Sequence, residues 1–160
     1  DVFIGVSKAG LLHPDMIRGM APQPLIMALA NPEPEIGMEE ALAARPDAIY
    51  ASGRSDLPNQ VNNLLAFPYV FRGALDVRAR RIDTPMKIAA AETLARLARH
   101  TPTQDEHRSG CEPAFCRERL LPTPFDGRLR DTLPQAVAEA AVRSGAARTD
   151  CVPEQTVEAE

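Results

Sequence analysis

At 160 residues with an apolar fraction of 44%, the chain is long enough for one domain with a real core. Its net charge of −4 and pI near 5.4 argue against a nucleic-acid partner, which favours a basic surface. No stretch approaches the roughly 18 apolar residues of a membrane span, and no basic start precedes a short apolar run as in a secretory signal.

The chain opens directly on an apolar β-branched run, "DVFIGVS", without Met and without a leading turn. A start inside a strand suggests a cut from something longer. Short apolar runs recur at 2–7 (VFIGVS), 24–30 (PLIMALA) and 47–53 (DAIYASG). Each is too short for a helix and does not alternate, the pattern of strands buried on both faces of a parallel sheet. Strands are expected near 2–6, 25–29 and 47–51.

Helical patterns lie between them. "HPDMIRGMA" has Pro14 in a first turn, and "EIGMEEALAARP" is rich in helix formers and stops at Pro46. Strand alternating with helix predicts α/β architecture, a partial Rossmann-like doubly wound parallel sheet with flanking helices. A helix is expected over about 60–80, with Pro68 kinking or interrupting it. Another starts at Thr84 as N-cap with Pro85 at its first position and runs to about Arg99, with Met86, Ala90, Thr93, Leu94 and Leu97 facing inward.

Residues 101–119 show no period and read as an irregular loop. "LLPTPFDGRL" reads as extended, and "LPQAVAEAAVRSGAA" as a last helix closed near Gly145. The organisation expected is therefore 1–100 as one α/β segment, 101–119 as loop, 120–148 as an extended segment with a helix, and 149–160 as a disordered tail. Cys111, Cys116 and Cys151 are an odd count without Cys-x-x-Cys spacing, as expected of reduced cytosolic thiols.

In open α/β sheets ligands sit beyond the carboxyl ends of the strands. "SKAG", "NPEPEI" and "GRSDLPNQVNN" should converge there. The last of these concentrates amides just before an apolar helix, and buried amides need partners. A ligand is one candidate. Arg54 and Asp56 within it are expected to pair with each other, and Arg78, Arg80 and Arg81 to form a solvated cluster at a helix end.

"DVFIGVSKAG", "LIMALANPEPEI", "ASGRSDLPNQVNNLLAFPYVFRGALDVRAR" and "MKIAAAETLA" are very similar to the second half of the NAD(P)-binding domain of bacterial malic enzymes, and "LLPTPFDGRLRDTLPQAVAEAAVRSGAA" resembles that family's C-terminal segment. The resemblance covers about 1–99 and 120–148, and "SGRSDLPNQVNN…FRGALD" is its most specific part. It implies oxidative decarboxylation of (S)-malate to pyruvate and CO2, with hydride passing to NAD+ or NADP+ and Mg2+ or Mn2+ assisting. By the same resemblance Asn31 contacts cofactor and substrate, and Asn62 and Asn63 contact substrate. A plain turn residue at Asn31, and N-caps at Asn62 and Asn63, are the structural alternatives. A Gly-x-Gly-x-x-Gly loop, a Tyr–Lys acid/base pair and the family's acidic metal ligands are not found here, so no catalytic residue is assigned and the metal ligands are expected outside this chain. The resemblance further implies a cytoplasmic enzyme that is a homo-oligomer when intact. A truncated, non-catalytic binding or scaffold module is the alternative reading.

Overall fold

A computed structural model of the protein describes residues 1–100 and 115–148. These residues separate into two compact units, one holding 1–62 and 115–121, the other 63–100 and 122–148.

The first unit is built on strands β1 (Val2–Gly5), β2 (Leu25–Ala28) and β3 (Ile49–Ser52). They form a three-stranded parallel sheet in the order β1-β2-β3, with Gly5 opposite Ala28 and Ala28 opposite Ser52. Helices α1 (Pro14–Arg18) and α2 (Met38–Ala44) make the crossovers. Parallel neighbours require such crossovers, because a tight turn can only reverse the chain. The expected Rossmann-like α/β arrangement is thus present, with each strand close to its predicted place.

Ile17, Ile26, Ala28, Ile36, Ala41 and Tyr50 are among the residues that fill the core of this unit. One expectation fails at β1. Val2 and Ile4 are 57% and 63% exposed, so β1 has one covered face, whereas β2 and β3 carry no exposed residue. At the amino end of the sheet, Arg45 grips Asp47 through Nε and Nη2 and donates to the Met20 and Ala21 carbonyls. Asp47 also accepts the Gln23 N–H at 2.7 Å. This clamp joins the entrances to β2 and β3.

The second unit is helical. A 3-10 turn (Asn63–Leu65) precedes α3 (Phe67–Asp76), followed by α4 (Thr84–Arg99) and α5 (Arg128–Arg143). The single helix expected over 60–80 is therefore two elements. Pro68 sits in the first turn of α3, where its missing N–H has no intrahelical partner to lose, so it starts the helix instead of kinking it.

The N-cap of α4 is Asp83, one residue before the predicted Thr84, and its carboxylate accepts the Met86 N–H. Met86, Ala90, Thr93 and Leu97 are buried as expected, while Leu94 is half-buried. The last helix begins at Arg128, earlier than the sequence suggested, and contains Pro134. Asp126 is buried just before it and accepts from the Arg128 backbone N–H and guanidinium.

Gly73 lies where α3 meets α5: a Cβ there would come 2.3 Å from the Pro134 carbonyl oxygen. Gly145, at φ +71°, closes α5 as expected; its N–H bonds to the Val142 carbonyl and that of Ala146 to Ala141. Cys111, Cys151 and the tail 149–160 lie outside the described residues, as does most of the predicted loop 101–119. Within 115–121, Cys116 and Arg119 exchange backbone hydrogen bonds in a tight antiparallel bridge.

Candidate functional site

Asn31 follows the end of β2 by three residues and is exposed; its peptide bond to Pro32 is cis. The segment after β3 loops out and returns. Ser52 and Gln60 form a parallel bridge, with the Val61 N–H donating to the Ser52 carbonyl at 2.8 Å. Ala28 is the register partner of Ser52. Asn31 and half-buried Asn62 therefore both leave the carboxyl edge of adjacent parallel strands, the edge where open α/β sheets take ligands. Asn62 ends the first unit, and exposed Asn63 opens the second.

Asn62 and Asn63 do not stand at the start of a long helix. Asn63 begins a turn of three residues, too short to build a useful dipole, and the N-cap of α3 is Ala66. Neither asparagine caps α3. At this edge Asn62 offers a neutral amide, both donor and acceptor.

The amide cluster has a structural member that residue types alone did not reveal. Asn59 is 8% exposed and takes the left-handed conformation at φ +54°. Its Nδ2 donates to the carbonyls of Tyr50 and Arg117, at 2.9 and 2.6 Å, and its Oδ1 accepts the Leu120 N–H at 2.8 Å. Arg117 in turn donates to the carbonyls of Pro46 and Ala48. Asn59 thereby fixes the loop from which Gln60–Asn62 emerge. Arg54 and Asp56 pair as expected, and the pair holds the Asp56 carboxyl below its usual range.

Glu35 is the second residue that sequence reasoning missed. It is fully buried, and its carboxylate accepts N–H bonds from Ser7, just beyond β1, and Ala30, just beyond β2, at 3.0 and 3.1 Å. Burial alone pushes its pKa up, but the backbone N–H donors, led by Ser7 and Ala30, outweigh this and hold it below the ordinary value. A Cβ on Gly5 would fall 2.3 Å from Glu35 Cδ, so only glycine leaves room for the carboxylate. A glycine inside an apolar strand is the signal that a close approach occurs there.

The Tyr50 hydroxyl donates to the Ile36 carbonyl at 2.8 Å, and burial pushes its pKa up. Tyr50 is a structural tyrosine. Among the described residues, no three His, Cys, Asp or Glu side chains are grouped so as to hold a metal ion. The described residues do not by themselves fit a divalent cation. Among the described residues no helix is long and apolar enough to cross a membrane.

A parallel sheet joined by crossover helices is the plan of an open α/β domain, which takes its ligand beyond the carboxyl ends of the strands. The family model described as the malic enzyme NAD-binding domain matches residues 1–108. The chain belongs to the malic enzyme family. Two relatives from Rhizobium meliloti strain 1021 are similar: an NADP-dependent malic enzyme, 54% identical over 92% of this chain and 20% of its own length, and an NAD-dependent malic enzyme, 55% identical over 92% and 19%. The crystal structure of malic enzyme from Pyrococcus horikoshii Ot3 superposes with a TM-score of 0.77 at 41% identity, covering 93% of this chain and 31% of that one. The chain thus spans about a fifth of the length of these two relatives.

Proposed function

We propose that this chain forms the second half of the NAD(P)-binding domain of an enzyme that oxidatively decarboxylates (S)-malate to pyruvate and CO2, with hydride passing to NAD+ or NADP+. The observation that carries the reading is the position of Asn31 at the carboxyl edge of β2 within the stretch matched by the malic enzyme NAD-binding domain. Asn31 would touch both nicotinamide and malate; Asn62 and Asn63 would donate to a malate carboxylate. Neutral amides suit this chemistry, because a cation there would stabilise the carboxylate that has to leave. By this reading the ligands for Mg2+ or Mn2+ lie outside this chain. The similar relatives include both NAD- and NADP-dependent enzymes, so identity alone favours neither cofactor.

Taken by itself the chain has no Gly-x-Gly-x-x-Gly loop for the pyrophosphate and no Tyr–Lys pair. By this reading it is inactive alone and works as part of a cytoplasmic, homo-oligomeric enzyme. The test is a chimera of the Rhizobium meliloti NADP-dependent malic enzyme in which this chain's sequence replaces the matching stretch of 150 residues. Malate-dependent reduction of NAD(P)+ within about tenfold of the parent supports the reading. A chimera that folds and binds cofactor but does not turn over malate overturns it, and favours a non-catalytic binding module.

A further inference from the structure

The loop that carries Asn31 is tied down around Glu35. Glu35 receives Ala30, immediately before Asn31, on Oε2 and Ser7 on Oε1. Its own carbonyl accepts the Leu12 N–H at 3.1 Å, and the next carbonyl, of Ile36, accepts the Tyr50 hydroxyl. Residues 31–34 are thus a short span strung between Ala30 and a fully buried anchor. A buried carboxylate is a costly anchor unless each oxygen is satisfied, and here each accepts a backbone N–H. The exposed stretch Asn31–Glu33 has no comparable attachment of its own to the core.

We infer that Glu35 is the positioning residue for Asn31, its carboxylate setting the height and direction at which the Asn31 amide leaves the sheet edge, with Gly5 providing the space that the carboxylate occupies. Glu35 touches no ligand in this scheme. It acts through the Ala30 N–H, one peptide unit away from Asn31. The Ser7 bond extends the same control to the segment after β1, so that two loops at the carboxyl edge share one reference point. This inference rests on the malic enzyme reading of Asn31.

The test is a double-mutant cycle in the chimera described above, measuring kcat/KM for malate and melting temperature on the same proteins. Asn31→Ala lowers kcat/KM, and Glu35→Gln, which retains shape but sets an NH2 against one of the two N–H donors, lowers it roughly tenfold. Because Glu35 acts through Asn31, the double variant is no slower than Asn31→Ala. If Asn31→Ala is damaging and the two losses multiply, the inference fails while the site reading stands. If Asn31→Ala is kinetically silent, the site reading itself fails and the inference with it.

Gly5→Ala displaces the carboxylate without removing its charge, since the new methyl meets only the flexible end of the Glu35 side chain. It should reproduce the Glu35→Gln kinetics, and it serves in the cycle if Glu35→Gln does not fold. Wild-type kinetics in a folded Gly5→Ala protein would overturn the inference. If neither variant folds, amide hydrogen exchange of the wild-type chain decides: Ser7 and Ala30 protected together supports the anchor, and either exchanging at the rate of an open loop overturns it.

Discussion

Leu120 donates its backbone N–H to the Asn59 side chain at 2.8 Å, joining residues 61 positions apart in the sequence. Without this amide, the carbonyls of Tyr50 and Arg117 would lose donors and the Leu120 N–H its acceptor. Asn59→Ala should destabilise the chain by about 2–4 kcal/mol, combining lost buried hydrogen bonds with a left-handed backbone that alanine disfavours. Asn59→Gly relieves the backbone cost and isolates the hydrogen bonds. Urea denaturation of both checks the ordering, with alanine the less stable.

Gly73 predicts the opposite kind of lesion. Adding one methyl places it 2.3 Å from the Pro134 carbonyl oxygen and 3.0 Å from Val137 Cβ. Neither neighbour is the loose end of a long side chain, so the α3–α5 contact must open. Gly73→Ala should cost about 1–3 kcal/mol by overpacking, despite alanine's better helix propensity. A melting temperature at or above that of the parent would show that the helices separate freely.

Acid should loosen the first unit through two carboxylates. Glu35 lies below the ordinary range of a glutamate because backbone N–H bonds outweigh its burial, and Asp47 lies well below the ordinary range of an aspartate, chiefly through its hydrogen bond from Arg45 and then through that from Gln23. A lowered folded-state pKa means the unfolded chain takes up protons first. The stability these groups contribute is complete above their unfolded values and disappears as pH falls through the lower folded ones. Stability should therefore hold steady from neutrality down to about pH 5 and fall below it. Glu35→Gln and Asp47→Asn should each flatten that acid limb in urea titrations at stepped pH.

The asparagines separate by kinetics in the chimera. Removing a hydrogen bond to a charged carboxylate costs roughly 1.5–3 kcal/mol, so Asn62→Ala or Asn63→Ala should lose about 10- to 150-fold in kcat/KM for malate, with cofactor KM nearly unchanged. Asn31→Ala should disturb malate and cofactor parameters together. Because α3 is capped at Ala66, neither Asn62 nor Asn63 is needed to start that helix, and Asn63→Ala should melt close to the parent. Normal kinetics in all three would mean that the amides serve no substrate.

The isolated chain should bind NAD(P) very weakly, lacking a glycine-rich phosphate loop at a helix start. Calorimetry checks this. A dissociation constant in the low micromolar range would contradict it.

The strands were legible because buried parallel strands leave short, unbroken apolar runs, and 2–7, 24–30 and 47–53 are such runs. The exposed face of β1 was not, since Val2 and Ile4 read the same whether or not anything covers them. Within the site, the positions of Asn31 and Asn62 at the sheet edge followed from strand polarity. The buried roles of Asn59 and Glu35 did not. A Glu between Pro34 and Ile36 in a proline-punctuated loop reads as solvated, and nothing local distinguishes it from exposed Glu33. Only Gly5, thirty positions earlier in an otherwise bulky strand, carries the trace of what packs against it. The extent of α5 was hidden for a related reason: Pro134 reads as a helix start, yet it lies inside a helix that begins at Arg128.

The bare side of β1 has a colloidal consequence. Among the described residues β1 is an outer strand of the sheet, and Val2, Ile4 and Val6 together present apolar side chains to water beside backbone groups available for pairing. Such a margin nucleates strand-to-strand stacking between copies unless charge or another segment shields it. Only Asp1 and Lys8 bracket the stretch with charge, and neither interrupts it. Purified alone, the chain should therefore become turbid with rising concentration, and a lysine in place of Ile4 should keep the solution clear.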